Sequence, residues 1–118
     1  MTYDSSNIFA RILRGEIPCK KLFENEFSLA FHDIAPESPV HVLVVPKVDC
    51  ASFDDFAKTV TPEFMHGFFV SVQKVADMLG LPDNGYRIIS NHGADASQSV
   101  AHFHVHILGG KNLGRLLP

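Results

Sequence analysis

Seven residues near the C-terminus, Ala101-His102-Phe103-His104-Val105-His106-Ile107, alternate strictly between apolar side chains and histidine, and Leu108 follows them. Successive side chains of a strand point to opposite faces. A strand here therefore turns Phe103, Val105 and Ile107 toward a core and gathers His102, His104 and His106 on the other face. Seven histidines stand in 118 residues, and random placement would give roughly 0.02 such triplets in a chain this long. The segment calls for a sheet with one face packed and the other chemically equipped.

The rest of the chain supplies one domain's worth of partners for that strand, read as a single domain over residues 1–118. Hydrophobic residues make up 46% and charged residues 19%, which excludes a disordered chain. Ten Lys and Arg against 13 Asp and Glu leave a formal charge of −3, which argues against bulk electrostatic binding to nucleic acid. The longest apolar runs, such as Val42 to Val45, fall far short of the ~20 residues of a membrane span. The first residues show neither a basic n-region nor an apolar h-region, so no secretory signal is read. Cys19 and Cys50 form no CxxC pair and read as reduced thiols, and a cytoplasmic setting is expected.

Along the chain, Asn7 predicts a cap for a short helix with Ile8, Phe9, Ile12 and Leu13 on one face and Gly15 as its stop. Lys21 to Glu24 and Phe27 to His32 predict a hairpin around Asn25-Glu26. Asp33 to Pro39 reads as a loop, His41 to Val45 as a central strand, and Asp49 to Asp55 as part of a polar linker. The clearest helix is capped by Thr61, has Pro62 at its first position and ends at Gly80. Its apolar residues, Phe64, Met65, Phe68, Phe69, Val72, Val75, Ala76 and Leu79, span a stripe of roughly 140° at 100° per residue. That width suits deep packing or a partner subunit. Tyr86 to Asn91 and Val100 to Leu108 complete the strands, with a small, polar loop from His92 to Ser99. Strands in adjacent groups without crossover helices predict an α+β fold. It comprises an antiparallel sheet of about five strands, one long helix and one or two short ones.

Three histidines on one sheet face suit two kinds of chemistry. An HxH pair can ligate zinc, but the outer histidines of a strand stand about 13 Å apart. A third ligand would have to come from His41, His32, His92 or Cys50, and no second cluster has a recognisable ligand spacing, so no metal site or cofactor is assigned. The other use is nucleophilic and acid–base chemistry at phosphorus, where a neutral imidazole is effective near pH 7 because its ordinary pKa is ~6.5. The loop Gly93 to Ser99 has small residues and hydroxyls suited to approaching a phosphate.

His102-Phe103-His104-Val105-His106-Ile107-Leu108 resembles the HφHφHφφ signature of the histidine triad (HIT) superfamily. The similarity continues through Ile8-Phe9 to Ile12, Gly15-Glu16-Ile17-Pro18, Ala30-Phe31-His32-Asp33-Ile34, Pro39-Val40-His41 to Lys47, Gln98-Ser99-Val100 and Leu108-Gly109-Gly110. The last of these resembles the Hint branch, whose members are homodimeric, metal-independent purine nucleoside phosphoramidases. The resemblance implies that His104 is a nucleophile that becomes nucleotidylated. His102 and His106 would flank it, and His41 would complete a relay. It implies that Asp33 binds the ribose, and that Ile8, Phe9, Ile12, Phe31, His32 and Ile34 belong to the nucleoside pocket. Asn91, Gln98 and Ser99 would surround the α-phosphate and leaving group. Two departures stand out: Ser97 replaces a usual glycine, and the tail from Lys111 to Pro118 lacks the tryptophan of the animal proteins.

The implied activity is hydrolysis of the P–N bond of purine nucleoside 5′-phosphoramidates (AMP or GMP derivatives), with no cofactor, by a homodimer whose sheet continues across its two-fold axis. The interface would comprise the long helix and the strand from Tyr86. Dinucleoside polyphosphate hydrolysis, or a nucleotide-binding scaffold role with little catalysis, are the alternatives.

Overall fold

Asn7 opens the first helix, α1 (Ile8–Leu13), from an extended backbone, and its side chain accepts the Ala10 N–H at 2.9 Å. The computed structural model describes residues 2–117. After Ile17-Pro18 the chain forms the hairpin β1 (Lys21–Glu24) and β2 (Ser28–His32). Asn25 organises its turn: the side-chain oxygen accepts from the Phe27 and Ser28 N–H groups, and the amide donates to Ser71 Oγ at 2.8 Å. β3 (Val40–Pro46) follows, then α2 (Phe53–Thr59), α3 (Pro62–Met78), β4 (Tyr86–Ile89) and β5 (Val105–Gly109). The strand order is β1-β2-β3-β5-β4, and every neighbouring pair is antiparallel.

The alternation of β2, β3 and β5 sorts the apolar side chains onto two faces. Ala30, Val42, Val44, Phe103, Val105 and Ile107 pack against Phe56 of α2 and Phe68, Val72 and Val75 of α3. Leu29, Phe31, Leu43 and Val45 face the other way, against Phe9 and Ile12 of α1. Thr61 caps α3 through the Phe64 N–H, Pro62 sits at its start, and Gly80 ends the run at φ +69°, a left-handed conformation that glycine adopts without strain.

Three expectations need correction. The segment read as a polar linker contains the start of α2, because Phe56 is fully buried beneath it. The strand from Tyr86 ends at Ile89 rather than Asn91. The last strand begins at Val105, not Val100, so His102 and His104 precede it on irregular backbone and only His106 lies within it. Phe103 nevertheless enters the helix-side core as the alternation requires. Among the described residues no helix is long and apolar enough to cross a membrane.

Candidate active site

β3 and β5 are neighbours, and their register decides which histidines meet. His41 pairs with Leu108 and Leu43 with His106, so His41 and His106 are diagonal neighbours on one face. His41 Nε2 lies 2.9 Å from His106 Nδ1. The far side of His41 settles which atom carries the proton. The Glu37 backbone N–H donates to His41 Nδ1 at 3.1 Å, so that nitrogen is an acceptor and the ring proton sits on Nε2. His41 therefore donates to His106 Nδ1. A neutral His106 then carries its own proton on Nε2. Burial, followed by the neighbouring rings of His104 and His41, pushes the pKa of His106 down to about 4, which keeps it neutral near pH 7.

His104 is 5% exposed and is oriented from the opposite direction. Its Nδ1–H donates to the His102 carbonyl at 2.7 Å, leaving an unprotonated lone pair on Nε2. Its ring stands edge-on to Phe9, with centroids 4.9 Å apart, and 5.0 Å from the ring of His106. Burial holds its pKa below the ordinary histidine value, against the opposing pull of the His102 carbonyl. His102, 1% exposed, spends both ring nitrogens on structure. Nε2–H donates to the Pro46 carbonyl at 2.9 Å, and Nδ1 receives the Tyr3 hydroxyl at 2.7 Å. Its ring acts as a strut, and its carbonyl sets the tautomer of His104.

Asp33 follows β2. Its Oδ1 accepts the Ala35 N–H at 2.8 Å, and Oδ2 lies 3.5 Å from His41 Nε2. Asp33, His32, Ile34, Lys20, Pro39 and His41 line a cavity of about 530 Å³. Of the residues expected in a nucleoside pocket, these walls take His32, Asp33 and Ile34, the last 96% exposed. Phe9, Ile12 and Phe31 instead sit in the core cluster beneath α1, and Ile8 is exposed on that helix. A larger hollow of about 650 Å³, between the end of α3 and the segment Gly110 to Gly114, holds no histidine. There Arg87 donates to the carbonyls of Gly114 and Arg115.

The loop before the triad is braced from within. Gln98 Oε1 accepts the Gly93 N–H at 2.9 Å, while Nε2 donates to the carbonyls of Ala51 and Val100 at 2.7 and 3.0 Å. Gln98 thus fixes the loop and ties it to the start of α2. Asn91 is half-buried and Ser99 exposed beside it. Ser97 itself takes the left-handed conformation, φ 57° and ψ 40°, a backbone that glycine adopts without strain. The residues missed in the sequence are Tyr3, Lys20 and the Glu37 N–H. Tyr3 lies 99 positions from its partner and Glu37 acts through its backbone, so no motif marks either.

Asp33, His41 and His106 bring one carboxylate oxygen and two ring nitrogens within 4.8 Å of one another, a donor set that invites a metal. The tautomer opposes it. A ligating histidine gives its other N–H to an acceptor, whereas His41 Nδ1 faces the Glu37 N–H and Nε2 holds the proton. The trio fits a proton relay better than an ion.

A HIT domain model matches residues 14–113. An uncharacterized 13.2 kDa HIT-like protein of Azospirillum brasilense is 51% identical over 116 residues, covering 98% of this chain and 95% of its own. A HIT family hydrolase from Legionella pneumophila superposes with a TM-score of 0.82 at 35% identity, covering 91% of this chain and 95% of its own. A histidine triad nucleotide-binding protein from Candida albicans gives 0.77 at 33% identity, covering 86% and 73%. With the family model spanning most of its length and a relative half-identical from end to end, the chain belongs to the HIT domain family.

Proposed function

We propose that the protein is a nucleotide hydrolase that cleaves the P–N bond of purine nucleoside 5′-phosphoramidates through a nucleotidyl-histidine, as a cytoplasmic homodimer of the Hint type. The observation that carries the reading is the pair of opposed tautomers. His104 presents a free Nε2 lone pair, and His106, one ring away, is left with its proton on Nε2. One is a nucleophile and the other a hydrogen-bond donor at neutral pH. The names of the Legionella and Candida neighbours, a hydrolase and a nucleotide-binding protein, support the coarser reading of a nucleotide hydrolase.

In the first half-reaction His104 Nε2 forms a bond to the α-phosphorus as the P–N bond breaks. The departing amine takes up one proton from solvent while the Nε2–H of neutral His106 hydrogen-bonds its nitrogen, and His104, its ring 5.0 Å from that of His106, is left as a phosphoimidazolium. In the second half, water attacks phosphorus and gives one proton to solvent, the N–P bond to His104 breaks, and the nucleoside monophosphate leaves. Ser99 and N–H groups of the Gly93–Ser99 loop stabilise negative charge on the phosphoryl oxygens. Asp33, at the cavity wall, accepts the ribose hydroxyls. Comparing turnover of an AMP-amine with that of a diadenosine polyphosphate tests the substrate class, and faster turnover of the polyphosphate would overturn it.

A further inference from the structure

His41 has one proton to give and two acceptors within reach. The Glu37 N–H donates to Nδ1, so the ring's proton sits on Nε2. The single Nε2 proton lies 2.9 Å, nitrogen to nitrogen, from His106 Nδ1 and 3.5 Å from Asp33 Oδ2. The nearer acceptor is a neutral ring, and the farther one a carboxylate, whose hydrogen bonds are roughly twice as strong as neutral ones. His41 is 4% exposed, so little water screens the competition. Asp33 Oδ1 is already engaged by the Ala35 N–H, which leaves Oδ2 as the oxygen toward His41, and Asp33 lines the cavity.

We propose that Asp33 is a positioning residue that couples occupation of the ribose site to the tautomer of His106. With the cavity empty, the carboxylate competes for the His41 proton and weakens, without displacing, the hydrogen bond to His106 Nδ1. Sugar hydroxyls donating to Asp33 satisfy its oxygens and reduce that competition. The His41 proton is then held more firmly on His106 Nδ1, which raises the share of His106 carrying its own proton on Nε2, the form that hydrogen-bonds a leaving amine. The group that recognises the sugar thereby fixes the donor. This inference rests on the nucleotide reading above, and it assigns to ribose a part in the chemical step as well as in binding.

Long-range proton–nitrogen correlation spectra of the histidine-labelled protein test it directly. The ligands are adenosine, which has no reacting phosphorus, and 2′,3′-dideoxyadenosine, each taken to saturation. Adenosine should move the His106 nitrogens toward the Nε2–H pattern. The dideoxy compound should bind without that change, and Asp33→Asn should respond alike to both. In steady-state kinetics, removing both hydroxyls from an AMP-amine should lower wild-type kcat about tenfold or more. The same change should leave kcat of Asp33→Asn within about twofold and alter only KM. Saturation by adenosine with an unmoved His106, or an equal shift with the dideoxy compound, would overturn the coupling and leave the nucleotide reading standing. Failure of both nucleosides to bind would overturn both.

Discussion

His104 and His106 differ in one respect that decides their roles: where the ring proton is held. Backbone groups set both, the His102 carbonyl for one and the Glu37 N–H, through His41, for the other. Replacing His104 with Ala removes the attacking nitrogen, so turnover should fall by at least the ~10²–10⁴ typical of losing one positioned proton-transfer group. Nucleotide binding should change little, because Asp33 and the cavity are untouched. His106→Ala should cost less, since water can protonate the leaving amine. Single-turnover kinetics on the two variants checks the order, and a reversed order would exchange their roles.

The same buried rings make stability depend on pH. His102 and His104 have pKa values lowered chiefly by burial, and His106 is lowered to about 4. Groups whose folded pKa lies below the unfolded value of 6.5 bind protons more readily in the unfolded chain. Their contribution is complete above pH 6.5 and is lost as pH falls through the window toward 4. Urea midpoints should therefore decline from pH 6.5 to 5, above the range where most carboxylates titrate. A flat profile there would mean that the rings are not held neutral by burial. The Ser97 strain is smaller. A non-glycine residue in the left-handed region costs roughly 1–2 kcal/mol, partly offset by the ~0.5–1 kcal/mol that glycine loses in backbone entropy. Ser97→Gly should thus stabilise by about 0.5 kcal/mol in urea denaturation without moving the loop.

At the level of elements, α2 links the helix-side core to the site. Phe56 is fully buried, stacked on Phe103 with ring centroids 4.6 Å apart, and Phe103 separates His102 from His104 in the chain. Phe56→Ala should cost about 3–5 kcal/mol in denaturant titration. A cost below 1 kcal/mol would show that α2 is only loosely docked. This helix is legible in Ser52-Phe53-Asp54-Asp55, a capping pattern. In the fold Asp55 reaches back past the cap to accept the Ala51 N–H at 2.8 Å, while the Ser52 side chain makes no cap hydrogen bond. The long helix, the hairpin and β3 were legible because caps, prolines and alternation all agree there. The start of β5 was not: period-2 alternation places side chains on faces whether or not ladder hydrogen bonds form, so His102 to His104 kept the pattern without the strand. Site residues with reactive side chains could be read, whereas Tyr3 and the Glu37 N–H needed the tertiary fold.

For the whole molecule, the sheet ends at β4, where Ile88 is half-exposed, and the exposed Phe69, Val70 and Met78 of α3 add apolar surface. An unpaired edge strand carrying an exposed apolar residue suits pairing with a second copy about a two-fold axis. Light scattering at micromolar concentration should return twice the chain mass, and Ile88→Lys should shift it toward monomer. A wild-type monomer would remove the dimer from the account.

The account rests on one covalent bond, between His104 Nε2 and phosphorus. The most direct measurement is mass spectrometry of the protein rapidly quenched after mixing with an adenosine 5′-phosphoramidate, followed by peptide mapping. The predicted result is an increase of one AMP located on His104 in the wild type and absent from His104→Ala. An adduct on His102 or His106, or turnover with no adduct at any quench time, would contradict it.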